Sequence, residues 1–300
     1  MPSSAIDHVV LTRFNLPSPG LEQSIRNRDG WLESRVDLFE KFCLPSVAAQ
    51  EEKDFSWIVY FDPESPEWLK QRIALWRAAG ILRPCFRASV SPEELIGDLS
   101  EVSRARQQGL VTTNLDNDDA LASDFTGRVK RLAERSTGAT ALYLVHGLIA
   151  RGGRLYRRTD SANAFCSVVS PWSDPQTCWA DWHNLLGTKM PVLIEEGPPA
   201  WLQVVHGRNV SNRVHGALTS PALYTRRFPG LLDAMPEPKA MSRARDALLD
   251  QPGRVAREAT RALVKRAIVA AAGRGALDRV RLGMRKGTGL GSLSGRSRRL

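Results

Sequence analysis

The chain has 300 residues, 42% of them hydrophobic, with a formal net charge of +10, which is room for one large α/β domain with an appendage. No stretch approaches the roughly 20 consecutive apolar residues that a membrane-spanning helix needs, so any membrane association is expected to be peripheral. Cys43, Cys85, Cys166 and Cys178 share no C-x-x-C spacing and no apolar leader opens the chain, which argues against a zinc knuckle or a secreted disulfide scaffold and for a reducing cytoplasm.

In chain order, Ile6–Phe14 is a short apolar run ended by Pro17, Pro19 and Gly20, a first buried strand and its loop. Arg13 lies at its end, where open α/β sheets keep their ligand crevice. It could face a phosphate or a base, or be an ordinary surface arginine. From Gly30, Trp31, Val36, Phe39, Phe42 and Cys43 recur at helical intervals, and Pro45 predicts a bend or break before Val47. Phe55–Phe61 reads as a strand, Asp62–Pro66 as an acidic turn and Glu67–Ala79 as a helix. Asp62 could accept from a base or ribose, or only cap that helix. A strand over 81–86 and a helix over 92–108, with a capping signal at Ser91, Glu93 and Glu94, follow.

Val111–Leu121, VTTNLDNDDAL, is the focus of the chain. A β-branched run leads into Asp116, Asp118 and Asp119, carboxylates that repel one another unless a cation sits among them. A hard ion such as Mg²⁺ or Mn²⁺ takes such oxygens and keeps positions for phosphate. An EF-hand loop starting at Asp116 would need Gly sixth and Glu twelfth, where Leu121 and Gly127 stand. A plain solvated turn is the competing reading.

Ser123 is expected to cap a helix over 124–135. Thr140–Ile149 and Arg154–Arg158 flank Arg151-Gly152-Gly153 as a hairpin. Ala164–Trp182, with Phe165, Trp172, Trp179 and Trp182, could line an acceptor cleft whose rings suit a sugar face, though core packing explains most aromatics. Trp201–Asn212 is a strand followed by a polar turn with His206, Arg208, Asn209, Ser211 and Asn212, from which His206 could complete a metal shell. From Glu237 onward 16 Lys and Arg face 5 Asp and Glu, against 26 and 27 before it. The basicity therefore belongs to the tail, where Val255–Val269 is a basic amphipathic helix suited to an anionic membrane surface and Gly287–Leu300 has a disordered composition. No stacking motif or known module supports nucleic acid as a partner.

Taken together, LTRFNL, LFEKFCLPS, WIVYFD, LDNDDAL and WLQVVHGRNVSN resemble a bacterial rhamnosyltransferase family, similar to GT-A glycosyltransferases, over about residues 5–235. The resemblance implies a GT-A-like fold with a Rossmann-like nucleotide-binding half and mixed central sheet (1–122), an acceptor-binding half (123–236), and a separate tail (237–300). It implies a nucleotide-diphosphate sugar donor, a glycan or lipid-linked acceptor in cell-surface polysaccharide synthesis, and a divalent cofactor, Mn²⁺ or Mg²⁺. Carried over, Asp116 sits nearest the ribose, Asp118 is the main metal ligand, Asp119 a neighbour or second ligand, Asp62 faces the base or ribose, and His206 supplies a late ligand to metal or diphosphate. Transfer also needs a group to take the acceptor proton; Asp181 is the first candidate and Glu196, beside Glu195, the second, with His183 a polar neighbour. Clustered aspartates would also serve a phosphatase or nucleotidyltransferase, although a phosphatase of the haloacid-dehalogenase kind would carry D-x-D-Thr/Val near its start. A non-catalytic nucleotide-binding protein is the third reading.

Overall fold

A computed structural model describes residues 6–17, 29–104, 109–206, 214–254 and 256. The chain divides into two units, Met1–Arg243 and Ala244–Leu300, seven residues beyond the expected tail boundary. The expected tail helix 255–269 lies, apart from residue 256, outside the described residues, as do Gly287–Leu300 and Arg208, Asn209, Ser211 and Asn212.

The first unit is built on β1 (Ile6–Arg13), β2 (Ser56–Phe61), β3 (Arg83–Phe86) and β4 (Gly109–Asn114), all parallel in the order β3-β2-β1-β4. Parallel strands are covered on both faces and so read as continuous apolar runs. Alternation then sends side chains to opposite cores. Val10, Trp57, Val59 and Phe61 join one cluster; Val9, Leu11, Ile58 and Tyr60 join the other. The first cluster is closed by α1 (Trp31–Leu38), by α3 (Glu67–Ala78) through Leu69, Ile73 and Trp76, and by α5 (Phe125–Ala133) through Phe125, Val129 and Leu132. Leu95 and Leu99 of α4 (Pro92–Val102), with Leu186 and Met190, close the second. Each such fully buried side chain contributes about 2 kcal/mol.

Between α1 and α2 (Leu44–Ala48) a π-helical turn, Phe39–Cys43, carries the chain past Pro45 without the expected break. The proline falls at the start of a new α segment, where its missing N–H costs little. α4 carries the expected capping box of Ser91 and Glu94 but ends at Val102. Ser123 does not cap α5: its hydroxyl donates to Glu51, and Asp124 occupies the cap position.

The 140–149 arm is two strands rather than one. β6 (Thr140–Leu144) belongs to the large sheet and β7 (His146–Arg151) to a smaller one, with Val145 between them. β7 and β8 (Arg154–Thr159) form the expected hairpin across Gly152 and Gly153, both at positive φ. β9 (Ser167–Pro171) runs antiparallel to both β4 and β6, and β10 (Val192–Glu195) pairs in parallel with β6 at the edge, so the seven-stranded sheet is mixed. The smaller sheet has the order β12-β8-β7-β11-β5, where β5 is Ala120–Leu121, β11 is Trp201–Val204 and β12 is Ala217–Thr219.

At the amino end of β1 the buried His8 bonds Thr113 through Nε2 (2.8 Å), while its Nδ1 has no hydrogen-bond partner among the described residues. Burial, aided by the charge of Lys130, lowers its pKa to about 3. The ring is therefore neutral in the fold but protonates near 6.5 once unfolded, so this stability is present above 6.5 and lost as pH falls towards 3. Between pH 6.5 and 4.5 the wild type should lose about 2 kcal/mol more than His8→Gln. Urea unfolding of both proteins at the two pH values measures the difference; equal slopes would contradict it.

Candidate active site

The sheet order places a switch point between β1 and β4: β2 and β3 follow on one side of β1, and β4 returns on the other. A ligand crevice opens at the carboxyl ends of strands so arranged. The acidic turn starts there. Leu115 N donates to Leu11 O (3.0 Å), and Asp119 N to Asp116 O (3.2 Å), before the chain enters β5 and pairs antiparallel with β11. The turn thus bridges the two sheets. Asn117 fastens it to the end of β1, its Nδ2 donating to Phe14 O (2.5 Å).

The three carboxylates have different surroundings. Asp119 is fully buried; Oδ1 accepts from Val204 N (2.8 Å), and Oδ2 has no hydrogen-bond partner among the described residues. Burial, then the charges of Asp118 and Asp116, holds its carboxyl well above the usual range. Asp118 is buried too, which alone would raise it, but the bond from His206 and the charge of Arg35 outweigh that and keep it below the ordinary value. Its Oδ2 lies 2.6 Å from Arg35 Nη1 and 2.9 Å from His206 Nε2. Asp116 stands exposed at the lip of the turn. The surrounding protein and then Asp118 push its carboxyl upward, against the hydrogen bond from Asn114 and the charges of Arg35 and Arg13.

Around this turn the structure assembles part of the expected set. The Arg13 guanidinium lies 4.0 Å from the centre of the Trp179 ring, and Trp179 Nε1 donates to Asn114 Oδ1 (2.8 Å). This ties the 172–190 loop to the ends of β1 and β4. Asp181 follows two residues later, with Oδ1 accepting from Trp182 N (2.8 Å) and Oδ2 at 3.2 Å from Lys189 Nζ. Trp182 is 72% exposed, whereas Trp172 and Trp179 pack against the core. His183, lowered by burial, gives its backbone carbonyl to the Tyr143 hydroxyl. Asp62, just beyond β2, closes its own turn: Oδ1 accepts from Glu64 N (2.8 Å). Glu196 is exposed just past β10, where the buried Arg128 holds its neighbour Glu195 (2.9 Å) and Pro198 O (2.8 Å).

A family model described as "Putative rhamnosyl transferase" matches residues 7–218. The chain belongs to this family. No curated protein matches. Among solved structures, residues 1–349 of S. aureus TarS in complex with UDP align at 10% identity and a TM-score of 0.43, covering 66% of this chain and 60% of that one. The chain thus spans less than two thirds of that relative. A "putative nucleotide-diphospho-sugar transferase" of Desulfovibrio desulfuricans G20 aligns at 12% identity and a TM-score of 0.38, covering 83% and 98%.

One contributor to this family member's site escapes a reading by motif, Arg35; Asn117 lies inside the acidic stretch without an expected role of its own, and Trp179, expected to line an acceptor cleft, instead holds Arg13 and Asn114. Arg35 sits one turn beyond Trp31, its guanidinium 5.5 Å from that ring. Nothing in the sequence sets it apart from the other charged residues of the same helix, Glu33 and Asp37, which are exposed. Among the described residues, no three His, Cys, Asp or Glu side chains are arranged to enclose a metal ion. A divalent ion that arrives with substrate phosphates needs only one or two protein carboxylates. The unpartnered Asp119 Oδ2 and the mutual repulsion of the turn suit that arrangement, and Asp118 and Asp119 would hold the ion.

Proposed function

We propose that this chain is a glycosyltransferase that moves a sugar, rhamnose by the family's description, from a nucleotide-diphosphate donor to a glycan or lipid-linked acceptor, with Mn²⁺ or Mg²⁺ at the acidic turn. The observation that carries this reading is the placing of Asp116–Asp119 at the β1–β4 switch point, where the topology opens a crevice. Family membership supports it. When bound, the ion offsets charge on the departing diphosphate. Asp116, at the lip, is positioned to accept from a ribose hydroxyl, and Arg13, over the Trp179 ring, to face the donor's phosphates or base. Asp181, on the loop that Trp179 anchors, takes the acceptor hydroxyl's proton on a carboxylate oxygen; Glu196 is the second candidate. In this reading the basic residues after Glu237 hold the enzyme on the cytoplasmic membrane face near a lipid-linked acceptor.

Thermal denaturation with UDP, GDP and dTDP, each with and without Mn²⁺, tests this. A donor nucleotide at one hundred times its Kd stabilises the fold by about 2.7 kcal/mol, so one nucleotide should raise the melting temperature by several degrees in Mn²⁺ and by much less in EDTA. No shift with any nucleotide, or steady phosphate release from a simple ester, would sink the proposal.

A further inference from the structure

Arg35 has no place in the reading above, yet it contacts Asp118 directly. Its Nη1 lies 2.6 Å from Asp118 Oδ2 and 3.1 Å from Asn117 Oδ1, and its side chain is 15% exposed. Two features make this more than a surface ion pair. Both partners are nearly out of water, so the attraction is weakly screened, and the carboxylate engaged is the one placed to meet the metal and diphosphate. Trp31, four residues earlier on the same helix, flanks the guanidinium. A fixed cation in that position does what a divalent ion would do: it offsets the charge of the turn.

We propose that Arg35 is the internal counter-cation of the acidic turn and a diphosphate-binding residue: it neutralises Asp118 while the site is free of ligand, and turns its guanidinium to the phosphate oxygens when a metal–nucleotide donor enters. This rests on the donor reading above. A guanidinium suits the second role because its planar fork matches a phosphate edge bidentately. The arrangement implies competition: Arg35 and a free divalent ion both seek Asp118, so the ion binds poorly alone and well with a diphosphate that draws the arginine away. The coupling belongs to the side chain, and it should vanish with it.

The test is Arg35→Gln, measured beside wild type, Arg35→Lys and Arg72→Gln, which removes the same charge from the exposed Arg72–Glu40 pair. Mn²⁺ binding is read by electron paramagnetic resonance, and calorimetry follows inorganic pyrophosphate and whichever of UDP, GDP and dTDP the wild type binds, in EDTA and in Mn²⁺. Arg35→Gln should bind Mn²⁺ alone at least fivefold more tightly than wild type, and pyrophosphate and the nucleotide in EDTA at least tenfold more weakly. Arg35→Lys, which keeps the charge and loses the fork, should resemble wild type towards Mn²⁺ but be weakened towards pyrophosphate. Arg72→Gln should match wild type in both. Unchanged affinities in a folded Arg35→Gln, or the same changes in Arg72→Gln, would overturn the assignment while leaving the donor reading standing. A wild type that binds neither Mn²⁺ nor any of the diphosphates would overturn both.

Discussion

Asp118→Asn should abolish the Mn²⁺-dependent stabilisation by nucleotide and reduce sugar transfer by a factor of about 10² to 10³, the usual cost of losing one preorganised electrostatic group at a reacting centre. The substitution keeps the side chain's shape, so the loss isolates its charge. Two effects then act on the ligand-free fold in opposite directions. Arg35 loses its charged partner in a nearly dry place, and removing one member of a buried pair typically costs 3–5 kcal/mol. Asp119 and Asp116 meanwhile lose a neighbouring charge that disfavours their ionised forms. The relief is partial, because burial is the first cause of the shift at Asp119, so the net loss should be about 2 kcal/mol. Urea unfolding gives that figure, and thermal denaturation with Mn²⁺ and nucleotide gives the ligand effect. A folded Asp118→Asn protein with wild-type metal-dependent stabilisation would remove this residue from the donor site.

Much of this arrangement is legible before any coordinates. The strands Ile6–Arg13, Ser56–Phe61 and Gly109–Asn114 are runs that parallel sheets require, and the turn residues punctuating them are local chemistry. Hence the α/β class, the parallel core and the place of the acidic turn at a strand end follow from pattern. What does not follow is whatever depends on distant partners. Only His146 and Gly147 interrupt the otherwise apolar Thr140–Ile149, too little to announce two strands; the division arises because its two halves find partners in different sheets. Pro45 looks like a break because the π-helical turn before it, a tertiary accommodation, leaves no mark in composition. Ser123 had the right chemistry for a cap, yet Glu51, 72 residues away, takes its hydroxyl. The site divides similarly. Asp116, Asp118 and Asp119 are adjacent and visible; His206, expected to reach the metal or diphosphate from a distant segment, lies 2.9 Å from Asp118 Oδ2. Arg35 and Trp179 join them only through folding, 83 and 65 residues from their partners Asp118 and Asn114.

The same dependence of the site on packing yields a second large effect, at a glycine remote from any charge. Gly147 of β7 pairs with Trp201 of β11, and a Cβ there would lie 2.0 Å from Trp201 Cδ2 and 2.2 Å from Cε2. The indole cannot easily yield: it is 2% exposed, stacks on Phe165 with centroids 5.0 Å apart, and donates from Nε1 to Leu144 O (2.8 Å). Overpacking a core usually costs 1–3 kcal/mol; with the ring held on three sides, Gly147→Ala should cost about 3 kcal/mol or more. That is roughly 6–12 °C in melting temperature for a unit of this size. Trp201→Leu alone should also destabilise, through the lost ring, but in its presence the added methyl has space, so the alanine penalty should fall below about 1 kcal/mol. A double-mutant cycle by calorimetry reads this coupling. The consequence reaches the acidic turn, because β11 begins at Trp201, its Val204 holds Asp119, and His206 two residues on holds Asp118. Gly147→Ala should therefore also weaken metal-dependent nucleotide binding, and the double variant should regain part of it. Additive stabilities in the cycle would show that the ring moves aside, and that β11 does not depend on this contact to present its end to the acidic turn.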